Sequence, residues 1–237
     1  MVIKKHIPNA ITCCNLISGC VAVVFALEGD YPMALFFIVV GAVFDFFDGM
    51  TARLLHVSSP IGKELDSLAD DVTFGVAPSA ILFDFLASME WPQALLPVAS
   101  VLPWVAFVMA AFSALRLAKF NLDERQTTSF IGLPTPANAL FWAALVVGDE
   151  NVLAWTPWAA PAIVAGMLVS CYLLVSEIPM FALKFKTWGW KDNRVKYSFL
   201  LSCLPILAFM RISGIAVVIA WYVILSVAIA INNKEKR

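Results

Sequence analysis

The stretch FDFFDGMTAR, residues 44–53, sets two aspartates, Asp45 and Asp48, in surroundings otherwise suited to lipid. An aspartate at the centre of a bilayer costs roughly 2.5 to 3.5 kcal/mol even on a lenient insertion scale, so acids in such a run face a polar cavity or mark a site. The rest of the chain confirms the surroundings. Hydrophobic residues fill 61% of the 237 positions and charged residues 14%, more apolar surface than a soluble domain buries in its own core. An all-α, polytopic transmembrane helical bundle is predicted.

Apolar runs long enough to cross about 30 Å of hydrocarbon lie near 10–28, 31–55, 64–88, 94–117, 133–148, 157–176, 198–212 and 214–231. No internal repeat or low-complexity linker divides them, so residues 1–237 read as one membrane domain. With the N-terminus in the cytoplasm, eight spans leave Lys4, Lys5, Arg53, Lys63, Arg116, Lys119, Arg125, Lys184, Lys186, Lys191, Arg194, Lys196, Lys234, Lys236 and Arg237 at the inner side. Only Arg211 falls outside. That asymmetry follows the positive-inside rule and places both termini in the cytoplasm. The basic start MVIKKH lacks a small-residue cleavage site and reads as part of a retained first span. Cys13, Cys14, Cys20, Cys171 and Cys203 show no metal-ligand spacing and read as packing residues. The basic, tryptophan-containing stretch 184–196 reads as an interfacial anchor.

Spacing turns the acids into a constellation. Asp45 and Asp48 are three residues apart, and Asp66 and Asp70 four apart, the two separations that stack side chains on one helix face. Counted from Tyr31 at about 1.5 Å per residue, Asp48 lies about 25 Å along its helix, near the cytoplasmic surface. Asp66 opens the next span just after Lys63, so all four acids meet at one depth. Four converging carboxylates repel one another unless cations neutralise them, and hard oxygen ligands suit Mg²⁺ or Mn²⁺, as one or two ions. Gly49 allows a ligand close to the backbone, Ala52 and Gly62 keep the helix ends near each other, and Arg53 offers a planar fork for a phosphate or diphosphate. Asp30, Asp84 and Asp149 read as solvated residues near helix ends, and Asp71, about 100° around the helix from Asp70, falls outside the constellation.

Written out, Asp45-x2-Asp48-Gly49-x2-Ala52-Arg53-x8-Gly62-x3-Asp66-x3-Asp70 resembles the signature of the CDP-alcohol phosphatidyltransferases at all eight of its fixed positions, across 26 residues. The resemblance implies a homodimer with a six-helix core, here about 7–176, and two further spans over about 198–231. It implies a two-metal centre on Asp45, Asp48, Asp66 and Asp70, with Asp70 also the base that activates the acceptor hydroxyl. Gly49 and Arg53 match positions that contact the CDP moiety. Ser59 stands where the family often has a hydroxyl at the nucleotide, and IPNAIT, with Asn9 and Thr12, looks like the segment that closes over it. Helix capping by Asn9 and packing by Thr12 would explain those two equally well.

FGVAPS (74–79), RLAKFN (116–121) and FIGLPTPANA (130–139) look like features of the phosphatidylserine synthase branch and carry the resemblance to most of residues 7–140. Arg116, Lys119 and Asn121 would then form the acceptor site, a cation holding an amino-acid carboxylate, although positive-inside anchoring also explains the two cations. Gly132-Leu133-Pro134 would break the chain at the surface and start a new helix. The implied reaction is CDP-diacylglycerol plus L-serine giving phosphatidylserine and CMP, with membrane lipid as surroundings and no nucleic-acid partner. Transfer to another alcohol, such as glycerol 3-phosphate or an inositol phosphate, is the alternative within the family. A cation transporter is the alternative outside it, though such sites tend to lie near the midplane between broken helices.

Overall fold

The computed structural model describes residues 6–57, 59–123, 130–153, 156–181, 189–190 and 193–235. Lys4, Lys5, Arg125, Lys184, Lys186, Lys191, Lys236 and Arg237 lie outside them, as does much of the predicted anchor at 184–196. Among the described residues the chain is a helical bundle. Its α-helices are α1 (His6–Leu27), α2 (Tyr31–Leu54), α3 (Pro60–Asp71), α4 (Ala77–Ser88), α5 (Val108–Leu122), α6 (Thr135–Leu153), α7 (Ala159–Val175), α8 (Arg194–Met210) and α9 (Ser213–Glu235). The only strand pairing in this part is a two-residue antiparallel contact between β1 (Phe130–Ile131) and β2 (Pro179–Met180).

Each of the eight expected spans has a helix at its place. Among the described residues, five runs are long and apolar enough to cross a bilayer: His6–Leu27, Tyr31–Leu54, Pro60–Ser88, Leu102–Leu122 and Ser213–Asn232. Thr135–Gly148 and Ala159–Val175 are shorter apolar helices. The protein is an integral membrane protein.

Several boundaries differ from the sequence reading, α1 and α8 each starting four residues earlier than expected, and two of the differences have a local cause. Hydropathy puts the start of the fourth span at 94, but it starts at Leu102: Pro97 lies within a separate 3₁₀ turn, Gln93–Val98, and Pro103 sits in the first turn of another, Leu102–Phe107, that leads into α5. Proline lacks the N–H that a continuous helix would need there. Hydropathy puts the start of the third span at 64, but its helix begins at Pro60, because Ser59 caps it by accepting a bond from the Gly62 amide at 3.0 Å. Asp66 therefore stands in the second turn of α3 rather than at its start.

The third span is the innermost: 61% of its apolar window is buried, against 17 to 33% for the other four long spans. A five-residue π-helical turn, Val72–Val76, joins α3 to α4 without a break. α1 and α2 pack closely together and grip this turn through glycines. A Cβ on Gly19 of α1 would collide with the Thr73 Oγ1 and lie under 3 Å from its backbone, and one on Gly41 of α2 would lie 2.5 Å from the Thr73 Cγ2. Small residues let helices approach to backbone contact, the packing mode available where lipid removes the hydrophobic drive. Gly19→Ala is accordingly expected to destabilise the bundle by about 1 to 3 kcal/mol, as overpacking does. It would be read as a lower thermal midpoint in detergent, and an unchanged midpoint would show that α1 is not clamped here.

Beyond α5 the chain returns at Gly132, whose φ of 76° and carbonyl neighbours, Leu174 O at 2.6 Å from a would-be Cβ, admit only glycine. The amides of Gly132 and Leu133 donate to the carbonyls of Ile178 and Leu173, both at 2.9 Å, and α6 starts at Thr135. The Gly-Leu-Pro break thus lies where the sequence places it.

Candidate active site

The opening stretch resolves by helix rotation. Along α2 the ring of Phe46 is 61% exposed on the apolar exterior, while Asp48, two residues on, is 5% exposed and faces the bundle. Asp45, three residues back, shares the inward face. α3 packs against α1 and presents Asp66 to the same place, and one oxygen from each of Asp45, Asp48 and Asp66 lies within 4.8 Å of the other two.

This donor set fits a divalent cation. Three hard carboxylate oxygens at such separations can converge on one ion at about 2.0 to 2.6 Å with little adjustment. Asp70, one turn beyond Asp66, stands outside that three-way group but within electrostatic reach of Asp45, Asp66 and Asp48. The four predicted acids are therefore neighbours, three of them clustered and the fourth set apart.

α1 supplies the hydrogen bonds that orient them. The Thr12 hydroxyl donates to Asp48 Oδ2 at 2.5 Å and is also 3.1 Å from the Pro8 carbonyl. The Asn15 Nδ2 donates to Asp70 Oδ1 at 3.0 Å. Beside the acids opens a cavity of about 210 Å³ lined by Pro8, Asn9, Thr12, Asp48, Gly49, Ala52, Val57, Ser59, Gly62, Lys63 and Asp66. It lies between the start of α1, the end of α2 and the start of α3, at one end of the helices rather than midway along them.

Of the residues predicted at the nucleotide, Asn9, Thr12, Gly49 and Ser59 all line this cavity. Gly49 has nothing within 4 Å of where a Cβ would stand, so protein packing does not require glycine there. Asn9 Oδ1 and Ser59 Oγ each lie 3.0 Å from where a Cβ on Gly62 would stand. Arg53 is placed differently from the expectation. It is exposed, is not part of the cavity lining, and its Nε donates to the Gly49 carbonyl one turn back at 3.0 Å.

Of the expected acceptor trio, Arg116 and Lys119 line one small cavity between the ends of α5 and α7, and Asn121 does not. Arg116 is 7% exposed, donates from Nη1 to Thr135 Oγ1 at 3.1 Å, stacks over Phe120 at 5.2 Å and feels the charge of Asp70. Lys119 is at the surface, bonded to the Val175 carbonyl at 3.1 Å and 3.8 Å from Glu177. The Asn121 side chain points to α3, donating from Nδ2 to Ser67 Oγ at 2.7 Å, while its backbone carbonyl accepts from Lys63 Nζ at 2.8 Å. At about 100° per residue Lys119 lies about 60° around α5 from Arg116, on the same side, whereas Asn121 lies about 140° away. Arg116 alone of the three is buried toward the acids.

Two residues at the site were not singled out from the sequence. Lys63 lines the cavity within a turn of Asp66, and its position beside the acid signature was the available signal. Asn15 is fully buried in an otherwise apolar span, and a polar amide in lipid-facing sequence is itself a signal of internal partners.

A membrane-embedded bundle with clustered carboxylates beside a cavity at its helix ends defines a class of protein able to hold a cation against an anionic ligand. Comparison with known proteins narrows the class. Residues 5–165 match the model of the CDP-alcohol phosphatidyltransferase family, and the chain belongs to that family. A Bacillus subtilis protein named CDP-diacylglycerol–serine O-phosphatidyltransferase is 40% identical over 174 residues, 73% of this chain and 89% of that protein. A Mycobacterium bovis protein of the same name is 34% identical over 185 residues, covering 73% of this chain and 60% of the relative. One from Saccharomyces cerevisiae is 37% identical over 164 residues, covering 62% of this chain and 54% of the relative. The family match spans α1 to the first turns of α7 and stops short of α8 and α9.

Proposed function

We propose that this protein transfers the phosphatidyl group of CDP-diacylglycerol to the hydroxyl of L-serine, releasing CMP and forming phosphatidylserine. The observation that carries the reading is the convergence of Asp45, Asp48 and Asp66 beside a cavity at the helix ends, in a chain of this family. The choice of serine is supported by the names of the relatives. A position at the ends of α1, α2 and α3 suits a substrate whose tails stay in the leaflet while its diphosphate reaches the surface, and it disfavours a midplane transport site.

In this reading Asp45, Asp48 and Asp66, with Asp70 close by, would hold Mg²⁺ or Mn²⁺, as two ions, and bound metal would supply positive charge against the diphosphate and the departing CMP. Thr12 fixes Asp48 by its bond to Oδ2. Gly49 leaves room for the nucleotide end, where Asn9, Ser59 and Lys63 supply polar contacts, and Arg53 reaches the diphosphate from beside the Gly49 carbonyl. Arg116, buried near Asp70, attracts the serine carboxylate, whereas Lys119 and Asn121 hold the end of α5 to its neighbours.

Asp70 accepts the proton of the serine hydroxyl. The freed oxygen bonds to the lipid-linked phosphorus, the bond from that phosphorus to the bridging oxygen breaks, and CMP leaves with the electron pair. The site faces the cytoplasm, with both termini on that side. Residues 1–237 act as one membrane domain, with a six-helix core over about 7–176 that pairs as a homodimer.

CMP release from CDP-diacylglycerol, measured with serine, glycerol 3-phosphate and inositol phosphate in turn, tests the reading. Serine is expected to support turnover and the two phosphorylated alcohols are not. Turnover with a phosphorylated alcohol alone would keep the phosphatidyl transfer and replace the acceptor.

A further inference from the structure

Asn15 has no place in the acid signature, yet it is fully buried and every polar atom of its amide is used. Its Nδ2 donates to Asp70 Oδ1 at 3.0 Å, and its Oδ1 accepts from the Thr73 hydroxyl at 2.8 Å. The same hydroxyl lies 3.1 Å from the Asn15 carbonyl, so the bond is shared. Thr73 is itself fully buried and fixed from two sides, since Gly19 and Gly41 bring α1 and α2 against it at separations that a Cβ could not enter.

The path from two helix backbones through Thr73 and Asn15 to one oxygen of Asp70 is therefore continuous. Only a side chain with both a donor and an acceptor can bridge a carboxylate and a hydroxyl in this way: leucine would satisfy neither, and an ionised aspartate would face Asp70 with another oxygen. Thr73 follows Asp70 by three residues, the separation that sets side chains side by side on a helix, so one amide reaches both.

We propose that Asn15 is a positioning residue for Asp70, with Thr73 fixing the amide. Its Nδ2 occupies Oδ1 and so directs the other carboxylate oxygen to the reacting hydroxyl or the cation. The inference rests on the proposed role of Asp70 but concerns different residues and fails separately. Outer groups that orient a catalytic carboxylate or a metal ligand typically contribute about 10- to 100-fold to activity or metal affinity.

The test uses the full chain in detergent, with CMP release at varied CDP-diacylglycerol and serine. Asn15→Asp keeps the shape and the acceptor for Thr73 but removes the donor to Asp70, so kcat is expected to fall about 10- to 100-fold while both KM values stay near those of the unaltered protein. Thr73→Val, which keeps the packed shape and leaves Asn15 unheld, is expected to fall in the same direction by less. The Asn15→Asp, Thr73→Val double variant should be no slower than Asn15→Asp alone, because Thr73 acts through Asn15.

An unchanged kcat in Asn15→Asp overturns the proposal. So does a loss that tracks a lowered thermal midpoint and is matched by Asn15→Leu with additive Thr73→Val, since that pattern is packing. Should Asn15→Asp not fold, Thr73→Val decides: an unaltered kcat sinks the network and a reduced kcat at constant KM supports it. Asp70→Asn with full activity would instead remove the base, which is a failure of the reading above and not of this geometry.

Discussion

Asp66→Ala abolishes metal-dependent CMP release while the protein remains inserted and folded: this is the expected result for the cluster as a whole, and Asp45→Ala and Asp48→Ala should match it. Three oxygens within 4.8 Å of one another make a cation site only together. Two carboxylates left on α2 provide fewer ligands from a single helix, and the ion would no longer bridge α2 to α3. Removing one preorganised electrostatic contact at a reacting centre costs on the order of 10²- to 10³-fold in kcat, and a lost cation takes several such contacts with it.

A second readout separates ligand loss from general damage. An ion that binds the folded state alone raises the thermal midpoint with its concentration, so Mg²⁺ or Mn²⁺ should stabilise the unaltered protein and fail to stabilise Asp66→Ala. Full metal-dependent stabilisation in all three variants would count against the carboxylates as the ligands. Like-charge repulsion within the empty cluster also predicts that, without metal, each alanine variant is no less stable than the parent.

The parts of this site that the sequence disclosed are those fixed by helical periodicity. Asp45 with Asp48, and Asp66 with Asp70, are paired by spacing alone, and the structure brings all four into one neighbourhood. Ser59 and Pro60 carry the start of α3 openly, as a hydroxyl cap followed by proline, yet the hydropathy of the run places the span four residues later. Apolar content marks where lipid begins; the cap marks where the helix begins. The same distinction displaces the fourth span, where Ala94 to Val101 are apolar enough but Pro97 confines the start of the run to a 3₁₀ turn.

What periodicity could not disclose is which neighbour each side chain meets. Lys119 shares a side of α5 and a small cavity with Arg116 yet ends at the surface against Val175, Asn121 turns to α3, and of the three only Arg116 is buried. The partnership of Asn15 with Asp70 joins residues 55 apart on different helices, which no local spacing announces. Gly19 and Gly41 acquire their meaning only once Thr73 is seen between them.

Asp70→Asn is the sharpest test of the chemistry, because the change removes a proton acceptor and almost nothing else. Volume and shape are kept, and an amide oxygen can still accept from the Asn15 Nδ2 as Asp70 Oδ1 does. The three-carboxylate cluster is untouched, since Asp70 stands outside it, so the CDP-lipid should bind with a KM near that of the parent. A neutral amide cannot take the serine proton, and positioned general bases contribute about 10²- to 10⁴-fold; kcat should fall by that much at saturating serine. Reduced affinity for CDP-diacylglycerol with an unaltered kcat would make Asp70 a ligand for the lipid-bound state and leave the proton to another group. A fall in kcat at constant KM places the loss in the transition state, where the oxygen attacks and the proton must already have somewhere to go.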